Sequence, residues 1–223
     1  MMVWSGATLL AYLGALWLYR RSGHHLLCLP VLTGTALVLA ALALSGTAYP
    51  VYAEATRALR WLSGPAIIAL AVPLYRQAAL LRRSAGPLLV ALVVGCLVSV
   101  LGTLVVCALM DTPRPFALAL APKAATMPMA MLAAERAGGL PAVAAMAVVA
   151  TGVLGSVMAG PLLRWLRVDN EAVHGFTLGL VAHAIGVARV MQTHPGSVAF
   201  AALAMGLNGV ATALLLAVWA PWF

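Results

Sequence analysis

A lysine flanked by two prolines interrupts one of the hydrophobic runs of this chain. Residues 120–131 read LAPKAATMPMAM, with Lys123 between Pro122 and Pro128. Each proline removes a backbone donor and clashes with the preceding helical turn, so the pair predicts unwound backbone with free carbonyl and amide groups. Thr126 lies one helical turn from Lys123 and adds a hydroxyl. A cation, a hydroxyl and free amides together favour a small carboxylate ligand. The alternative is that Lys123 extends to a membrane interface near a helix end.

A second set of polar residues lies in residues 178–192, LGLVAHAIGVARVMQ, where His183 and Arg189 flank Gly186. On a straight helix six residues turn through about 600°, which leaves the two side chains on different faces. A break at Gly186 would direct both into one cavity. Histidine titrates near neutral pH, so His183 is a candidate for a coupled proton or a substrate hydroxyl. The alternatives are a packing histidine and an interfacial arginine.

Two further features predict close contact between helices. Asn208 interrupts the apolar run AFAALAMGLNGVATALLL, so its amide must find a partner inside the protein, and we include it among the candidate substrate-binding residues. The small-residue pattern of Gly152, Gly155 and Gly160 predicts that another helix approaches closely.

The elements that must position these residues are membrane helices. Of the 223 residues, 64% are hydrophobic and 8% are charged, a composition outside the range of soluble domains. A helical crossing needs about 20 apolar residues, and runs of that length follow one another along the chain. The sequence therefore predicts an all-α integral membrane protein, one transmembrane domain over residues 1–223 with seven or eight membrane segments. The predicted segments are 3–19, 26–48, 61–81, 87–110, 116–134, 140–163, 172–191 and 197–219.

The path of segment 116–134 decides the predicted topology. Three arginine clusters follow predicted segments: Arg20 with Arg21, Arg76 with Arg82 and Arg83, and Arg164 with Arg167. Positive residues favour the cytoplasmic side. All three clusters lie there only if 116–134 enters and leaves on one side, which puts the N-terminus outside and the C-terminus inside, and we favour this re-entrant path. A full crossing would place the third cluster outside and both chain ends on one side.

Helix-breaking residues also interrupt residues 62–77, LSGPAIIALAVPLYRQ, where Pro65 and Pro73 each predict a break. With Arg76 aligned on Arg189, Pro73 falls on Gly186, which leads to the hypothesis of an internal repeat. Broken helices at corresponding positions are typical of transporters that bind substrate near the membrane midplane. We therefore expect an elevator-like transporter architecture. The residues expected to shape its cavity are Pro65, Pro73, Pro122, Pro128 and Gly186.

Several function classes are disfavoured by the sequence. It contains no phosphate-binding glycine loop, no HExxH and no GxSxG motif, and the cysteines Cys28, Cys96 and Cys107 lack metal-ligand spacing. The net charge of +8 is expected to come from basic residues in cytoplasmic loops, and it does not indicate a nucleic-acid partner. We therefore expect a protein that is not an enzyme and that uses no cofactor and no metal.

Three stretches resemble the LrgB/CidB family of bacterial membrane proteins, whose plant relatives form part of the plastid glycolate/glycerate translocator. They are residues 64–77, residues 120–142, and residues 151–189. The family patterns resemble PKSVTTPIA and SHGIGTAR. The residues that match them are Pro122, Lys123, Thr126, Pro128, Ala130, His183, Ile185, Gly186, Ala188 and Arg189. The residues that depart from them are Ala124, Met127, Ala182, Ala184 and Val187.

The resemblance implies two competing functions in the bacterial inner membrane. One is a carrier of small monocarboxylates such as glycolate, glycerate or pyruvate. The other is a holin-like or antiholin-like protein that modulates murein hydrolase activity and autolysis. It also implies an LrgA/CidA-type small membrane protein as partner, and a homodimer is expected by analogy with elevator-like carriers. We favour the carrier, because a pore has no use for a lysine, a histidine and an arginine at helix breaks. A regulatory scaffold that transports nothing is the third alternative.

Overall fold

The computed structural model describes residues 2–222 of the chain. At Met2, Leu26, Arg60, Ser63, Gly64, Ala66 and Ile67 it describes the backbone alone. The described residues form helices joined by turns and short 3-10 segments, and residues 2–222 contain no strand. They divide into two compact units, Met1–Val72 and Pro73–Phe223.

The first unit contains four α-helices among its described residues. They are α1 (Met2–Arg21), α2 (Pro30–Ser45), α3 (Tyr49–Ala55) and α4 (Arg57–Ala69), with a 3-10 segment at Leu26–Cys28 before α2. α2 ends where Gly46 adopts φ 63°, a left-handed conformation that glycine takes without steric cost. A hydrogen bond joins α1 to the end of α3, where the Ser5 hydroxyl donates to the carbonyl of Ala55 over 2.8 Å.

The second unit carries the candidate functional residues. Its helices are α5 (Ala71–Arg76), which begins before the unit boundary, α6 (Ala78–Arg83), α7 (Ala85–Leu109), α8 (Arg114–Leu120), α9 (Met127–Ala137), α10 (Pro141–Trp165), α11 (Glu171–Thr193) and α12 (Val198–Trp219). Short 3-10 segments lie at Pro195–Ser197 and Ala220–Trp222. The break predicted at Pro65 is wrong, because α4 continues through that proline. The interruption lies at Leu70, between α4 and α5, and Pro73 is already inside α5.

Segment 116–134 is broken and folds back on itself, as the favoured re-entrant path predicts. α8 ends at Leu120, residues 121–126 form turns, and α9 begins at Met127. The chain that follows α9 packs against α8, because a Cβ added to Gly139 would lie 2.8 Å from the amide nitrogen of Ala119 and 3.1 Å from the carbonyl oxygen of Pro115. We call α8, residues 121–126 and α9 the first hairpin, and residues 121–126 its tip.

α11 is a second hairpin, which differs from the full crossing predicted at 172–191. Inside it, His183 has φ 41° and ψ −128°, so the chain turns sharply there and not at the predicted Gly186. The rings of His174 and His194 stack with centroids 5.4 Å apart, whereas 20 residues of straight helix would separate them by about 30 Å. We call residues 171–182 and 184–193 the arms of the second hairpin, and His183 its tip.

The two hairpins enter the second unit from opposite ends. α7 and α12 run parallel, since Leu92 packs with Phe200 and Leu104 packs with Leu216. We call the end where α7 begins the near end and the end where it finishes the far end. The first hairpin opens at the far end, where the Arg114 guanidinium donates to the carbonyl of Ala220 over 2.9 Å.

The second hairpin opens at the near end. A Cβ on Gly175, in its first arm, would lie 2.5 Å from the carbonyl oxygen of Ser197, which directly precedes α12. Each hairpin is followed by a long helix, α10 after the first and α12 after the second. α10 runs from the far end, where Ala144 packs with Ala119, to the near end. The unit therefore contains a hairpin and a span, twice, in inverted orientation.

A constant sequence offset relates the two repeats. Thr126 and His183, which directly precede the second arms, are 57 positions apart. Gly139 and Gly196, which follow the second arms, have the same separation, as do Gly152 and Gly209 in the middle of the spans. The predicted alignment of Arg76 on Arg189 is therefore wrong, because the repeat relates residues 114–165 to residues 171–222.

The described residues contain four helices that are long and apolar enough to cross a membrane by length and composition. They are Ala85–Leu109, Pro141–Trp165, Glu171–Thr193 and Pro195–Trp222. The arms of Glu171–Thr193 are 12 and 10 residues, or about 18 and 15 Å of helix, so neither spans the roughly 30 Å hydrocarbon core alone. The end of α12 therefore lies opposite Arg164 and Arg167, which corrects the prediction that the C-terminus shares their side.

Candidate functional site

Asn208 joins the tips of both hairpins. It lies at the middle of α12 with its side chain 1% exposed. Its amide nitrogen donates to the carbonyl oxygen of Ala124 in the first tip over 2.9 Å and to that of Leu180 over 3.1 Å. In an unbroken helix the carbonyl of Leu180 would accept from residue 184, so the turn at His183 frees it. The predicted interhelical bond of Asn208 is confirmed, and it connects two breaks.

His183 anchors the second tip to α10. Its ring is 3% exposed, and Nε2 donates to the carbonyl oxygen of Val148 over 3.0 Å, since a carbonyl can only accept. A Cβ on Gly152 would lie 2.6 Å from Cε1 of this ring, so only glycine leaves room for it. The side chain of Val148 packs against Ala125 and Ala130 of the first hairpin. Both tips therefore meet at the middle of α10 as well as α12.

The second arms of the two hairpins both begin at this meeting point. Thr126 has φ −68° and ψ 150°, precedes the first turn of α9, and makes no capping hydrogen bond with its own side chain. His183 occupies the equivalent position before residues 184–193. Helix amino termini carry unpaired amides and a partial positive charge. Two such termini approaching from opposite ends create a region that favours an anion.

Lys123 is directed from the first tip towards α7. Its ammonium donates to the hydroxyl of Thr103 and to the carbonyl oxygen of Ser99, the latter over 3.4 Å. Ser99 and Thr103 lie ten and six residues before the last residue of α7, so the half-buried lysine contacts the second half of that helix.

Arg189 is directed towards a different neighbour. It lies on the second arm of the second hairpin, where Nη2 is 3.7 Å from the Cβ position of Gly160 in α10. Its Nη1 atom is buried and has no hydrogen-bond partner among the described residues. Lys123 thus contacts α7 while Arg189 lies against α10, and the structure does not bring the two cations to one point.

The remaining candidate residues, Pro122, Pro128 and Gly186, lie at or near the tips of the two hairpins. Pro122 is buried in the first tip, and Pro128 lies exposed in the first turn of α9, where the missing amide costs no helical bond. A Cβ on Gly186 would overlap the carbonyl oxygen of Leu178, eight residues earlier, because the hairpin folds back there. Gly186 is therefore needed for close approach and not as the break.

The sequence reasoning missed Val148, whose carbonyl holds His183, and Ser156, whose buried hydroxyl has no partner among the described residues. One sequence signal for this region is that Gly152 and Gly209 are separated by the repeat offset of 57 positions. Each glycine lies against a hairpin, since a Cβ on Gly209 would lie 2.6 Å from Met129 of the first hairpin. Among the described residues, no group of three His, Cys, Asp or Glu side chains is placed to hold a metal ion.

A family model for the LrgB-like family matches residues 8–222. The chain belongs to the LrgB-like family. This confirms the resemblance carried by the proline, histidine and arginine patterns around Lys123 and His183. The matched range begins within the first compact unit and includes both hairpins, and some relatives of the chain carry the name antiholin-like protein LrgB.

Three relatives illustrate the range of similarity within the family. The chain is 34% identical to an uncharacterized protein of Haemophilus influenzae over 81% of this chain and 79% of that protein. It is 30% identical to the uncharacterized protein YxaC of Bacillus subtilis over 91% of this chain and 88% of that protein. It is 28% identical to the antiholin-like protein LrgB of Bacillus cereus over 96% and 94% of the two chains. No solved structure matches the chain.

Proposed function

We propose that this protein is a secondary carrier of small monocarboxylates, such as glycolate, glycerate or pyruvate, in the bacterial inner membrane. The observation that carries the proposal is the inverted pair of hairpins whose second arms both begin beside Asn208. Irregular backbone at membrane depth is tolerated where it is buried in protein or lines a cavity. Broken helices with amino termini directed at one point are the arrangement by which carriers bind anionic groups.

In this proposal the carboxylate binds between the two tips. Thr126 and the free amides at the start of α9 orient it, and His183 holds the second tip in position through Val148. Lys123 supplies positive charge from the first tip while it is held by Thr103. The hairpin-bearing unit moves across the bilayer as one body during transport. The protein catalyses no chemical reaction and uses no cofactor.

The alternative function is an antiholin-like or holin-like role in controlling murein hydrolase activity and autolysis. The observation that favours it is the name of the Bacillus cereus relative, which is described as antiholin-like. An LrgA/CidA-type small membrane protein and a second copy of this chain are the partners that either function would use. A carrier can also affect autolysis by changing the carboxylate pool, so the two roles are compatible.

Uptake into proteoliposomes separates the two functions. Vesicles containing the protein receive labelled pyruvate or glycolate outside, and the release of a trapped inert dye is followed in parallel. We expect saturable uptake without dye release, abolished in Lys123→Ala and unchanged in Arg164→Ala, which removes an exposed arginine of α10. Dye release that is indifferent to Lys123→Ala would instead indicate a pore. The absence of both uptake and dye release would indicate a regulatory scaffold.

A further inference from the structure

Ser156 and Arg189 each leave a buried hydrogen-bond donor without a partner between α10 and the second hairpin. Ser156 is 0% exposed, and its hydroxyl has no partner among the described residues. Arg189 is half-buried, but its Nη1 atom is fully buried and also has no partner among the described residues. A buried polar atom without a partner carries a penalty comparable to a lost hydrogen bond, so two such donors in one interface require an explanation.

Ser156 lies on the face of α10 against which the second hairpin, with Arg189, packs. Gly152, Ser156 and Gly160 are four residues apart, so their Cβ positions follow one line along the helix. His183 lies against Gly152 and Arg189 lies against Gly160, which places Ser156 between them. Ser156 lies one helical turn, about 6 Å along α10, from Gly160, whose Cβ position is 3.7 Å from Nη2 of Arg189. The two donors are therefore about one helical turn apart along this interface.

The equivalent positions of the other repeat are apolar. With the offset of 57 positions, Arg189 corresponds to Leu132 and Ser156 to Ala213. Leu132 and Ala213 line a groove of about 620 Å³ between α9 and α12 at the far end. The polar donors at the near end are therefore not a requirement of the fold, because the same architecture forms in the first repeat without them.

We propose that Ser156 and Arg189 form a carboxylate subsite between α10 and the second arm of the second hairpin, on the near-end side of the tips. The inference rests on the proposed function and adds a binding step to it. Arg189 lies six residues beyond His183, or about 9 Å along the arm, so the subsite is separate from the region between the tips. The first repeat has Leu132 and Ala213 at the equivalent positions, so the proposal places this pair of donors on the path to the near end.

Equilibrium binding and uptake test the subsite with matched variants. Labelled pyruvate is dialysed against purified protein, and its uptake is measured in proteoliposomes, for wild type, Ser156→Ala and Arg189→Lys. Each substitution removes a donor or its planar geometry, and we expect the Kd and the KM to rise about tenfold, the effect of one hydrogen bond to a charged group. Ser84→Ala and Arg164→Lys are the controls, with constants that stay at the wild-type value. Unchanged constants in both test variants would overturn the proposal.

A cysteine at position 156 supplies an independent readout. Ser156→Cys is treated with an anionic methanethiosulfonate, and the labelled peptide is identified by mass spectrometry, so Cys28, Cys96 and Cys107 remain in place. We expect labelling that pyruvate slows, with half-maximal protection at its Kd. Labelling that pyruvate does not slow, or no labelling of a variant that elutes as a folded protein, would contradict the subsite. Binding that depends on Ser156 without any uptake would retain the subsite and reject the carrier.

Discussion

The side-chain amide of Asn208 donates to the carbonyl oxygen of Ala124 over 2.9 Å, which joins the middle of the last long helix to the tip of the first hairpin. The same nitrogen donates to the carbonyl of Leu180 beside the second tip. One side chain therefore satisfies a backbone acceptor in each of the two interrupted segments. The central region is therefore held in part by a neutral side chain and not by the charged residues alone.

Asn208→Leu is expected to destabilise the protein because it leaves two buried carbonyls without a donor. The cost is about 2 kcal/mol, in the range for unsatisfied buried acceptors. Asn208→Asp is expected to be worse, since a carboxylate faces two carbonyl oxygens. The check is the midpoint of thermal unfolding in detergent. Substitution of Thr177 by Val, at a half-buried polar position of α11, is the control, and equal midpoints in all three variants would contradict the bridging role.

Gly186→Ala is expected to disrupt the second hairpin because the added methyl group overlaps the carbonyl of Leu178. Backbone atoms must move to relieve the overlap, at a cost of about 3 kcal/mol. Gly206→Ala is the matched control, since a Cβ there has nothing within 4 Å. Thermal unfolding and the yield of monodisperse protein compare the two. A Gly186→Ala variant as stable as Gly206→Ala would mean that the arms do not approach at this point.

Cross-linking distinguishes a folded-back α11 from a straight crossing. The pair His174→Cys with His194→Cys replaces two rings whose centroids are 5.4 Å apart, so we expect efficient closure by dibromobimane. The control pair Ala145→Cys with Trp165→Cys has the same sequence separation on the continuous helix α10, where the residues lie about 30 Å apart. Bridging in the first pair alone is the expected result. No bridging in either pair would indicate that α11 is straight.

The hydrogen bond between Lys123 and Thr103 predicts energetic coupling between the first tip and α7. Lys123→Met and Thr103→Val are each expected to lower the unfolding free energy by about 1–2 kcal/mol. The double variant is expected to lose little more than Lys123→Met alone, since both changes remove one interaction. Unfolding in a denaturing detergent measures the cycle. Strict additivity of the two losses would show that the lysine and the threonine do not interact.

The re-entrant second hairpin predicts that residue 169 and the end of α12 lie on opposite membrane faces. Arg164 and Arg167 favour the cytoplasm for the near end, so the far end is expected outside. A membrane-impermeant maleimide should reach Asp169→Cys from the inside only, and alkaline phosphatase fused after residue 222 should be active. An inactive fusion with inside-only labelling of residue 169 would mean that α11 crosses fully.

The first break was predictable from sequence because its cause is local. Pro122 cannot continue α8 and Pro128 is suited to the first turn of a new helix, and the observed tip, residues 121–126, contains the first proline and ends two residues before the second. The sequence predicts the break in α11 at Gly186, since glycine is the residue that tolerates unusual backbone angles. The structure has the positive φ at His183, which adopts such angles less readily than glycine and whose ring donates to the carbonyl of Val148. Only the tertiary contact specifies that position.

The site and the repeat were less accessible to sequence reasoning. Charge indicates that Lys123 and Arg189 need compensation but not which neighbour supplies it, because side-chain direction after a break depends on the new helix axis. The inverted repeat keeps glycine at two equivalent places, Gly139 with Gly196 and Gly152 with Gly209, while most other positions differ. An alignment based on arginine and proline therefore gives the wrong register. Gly152, Gly155 and Gly160 correctly predicted close packing, since each lies against the second hairpin.

The bridge from Asn208 also orders the events of biosynthesis. Ala124 precedes Asn208 by 84 residues, so the first tip leaves the ribosome long before its partner exists. Arms of 7 and 11 residues are too short to integrate as independent crossings. The first hairpin therefore waits for α10 to supply a surface and for the last helix to supply its donor. In a nascent chain released before residue 208, the carbonyls of Ala124 and Leu180 lack their shared donor, and we expect such a chain to be more susceptible to membrane quality-control proteases.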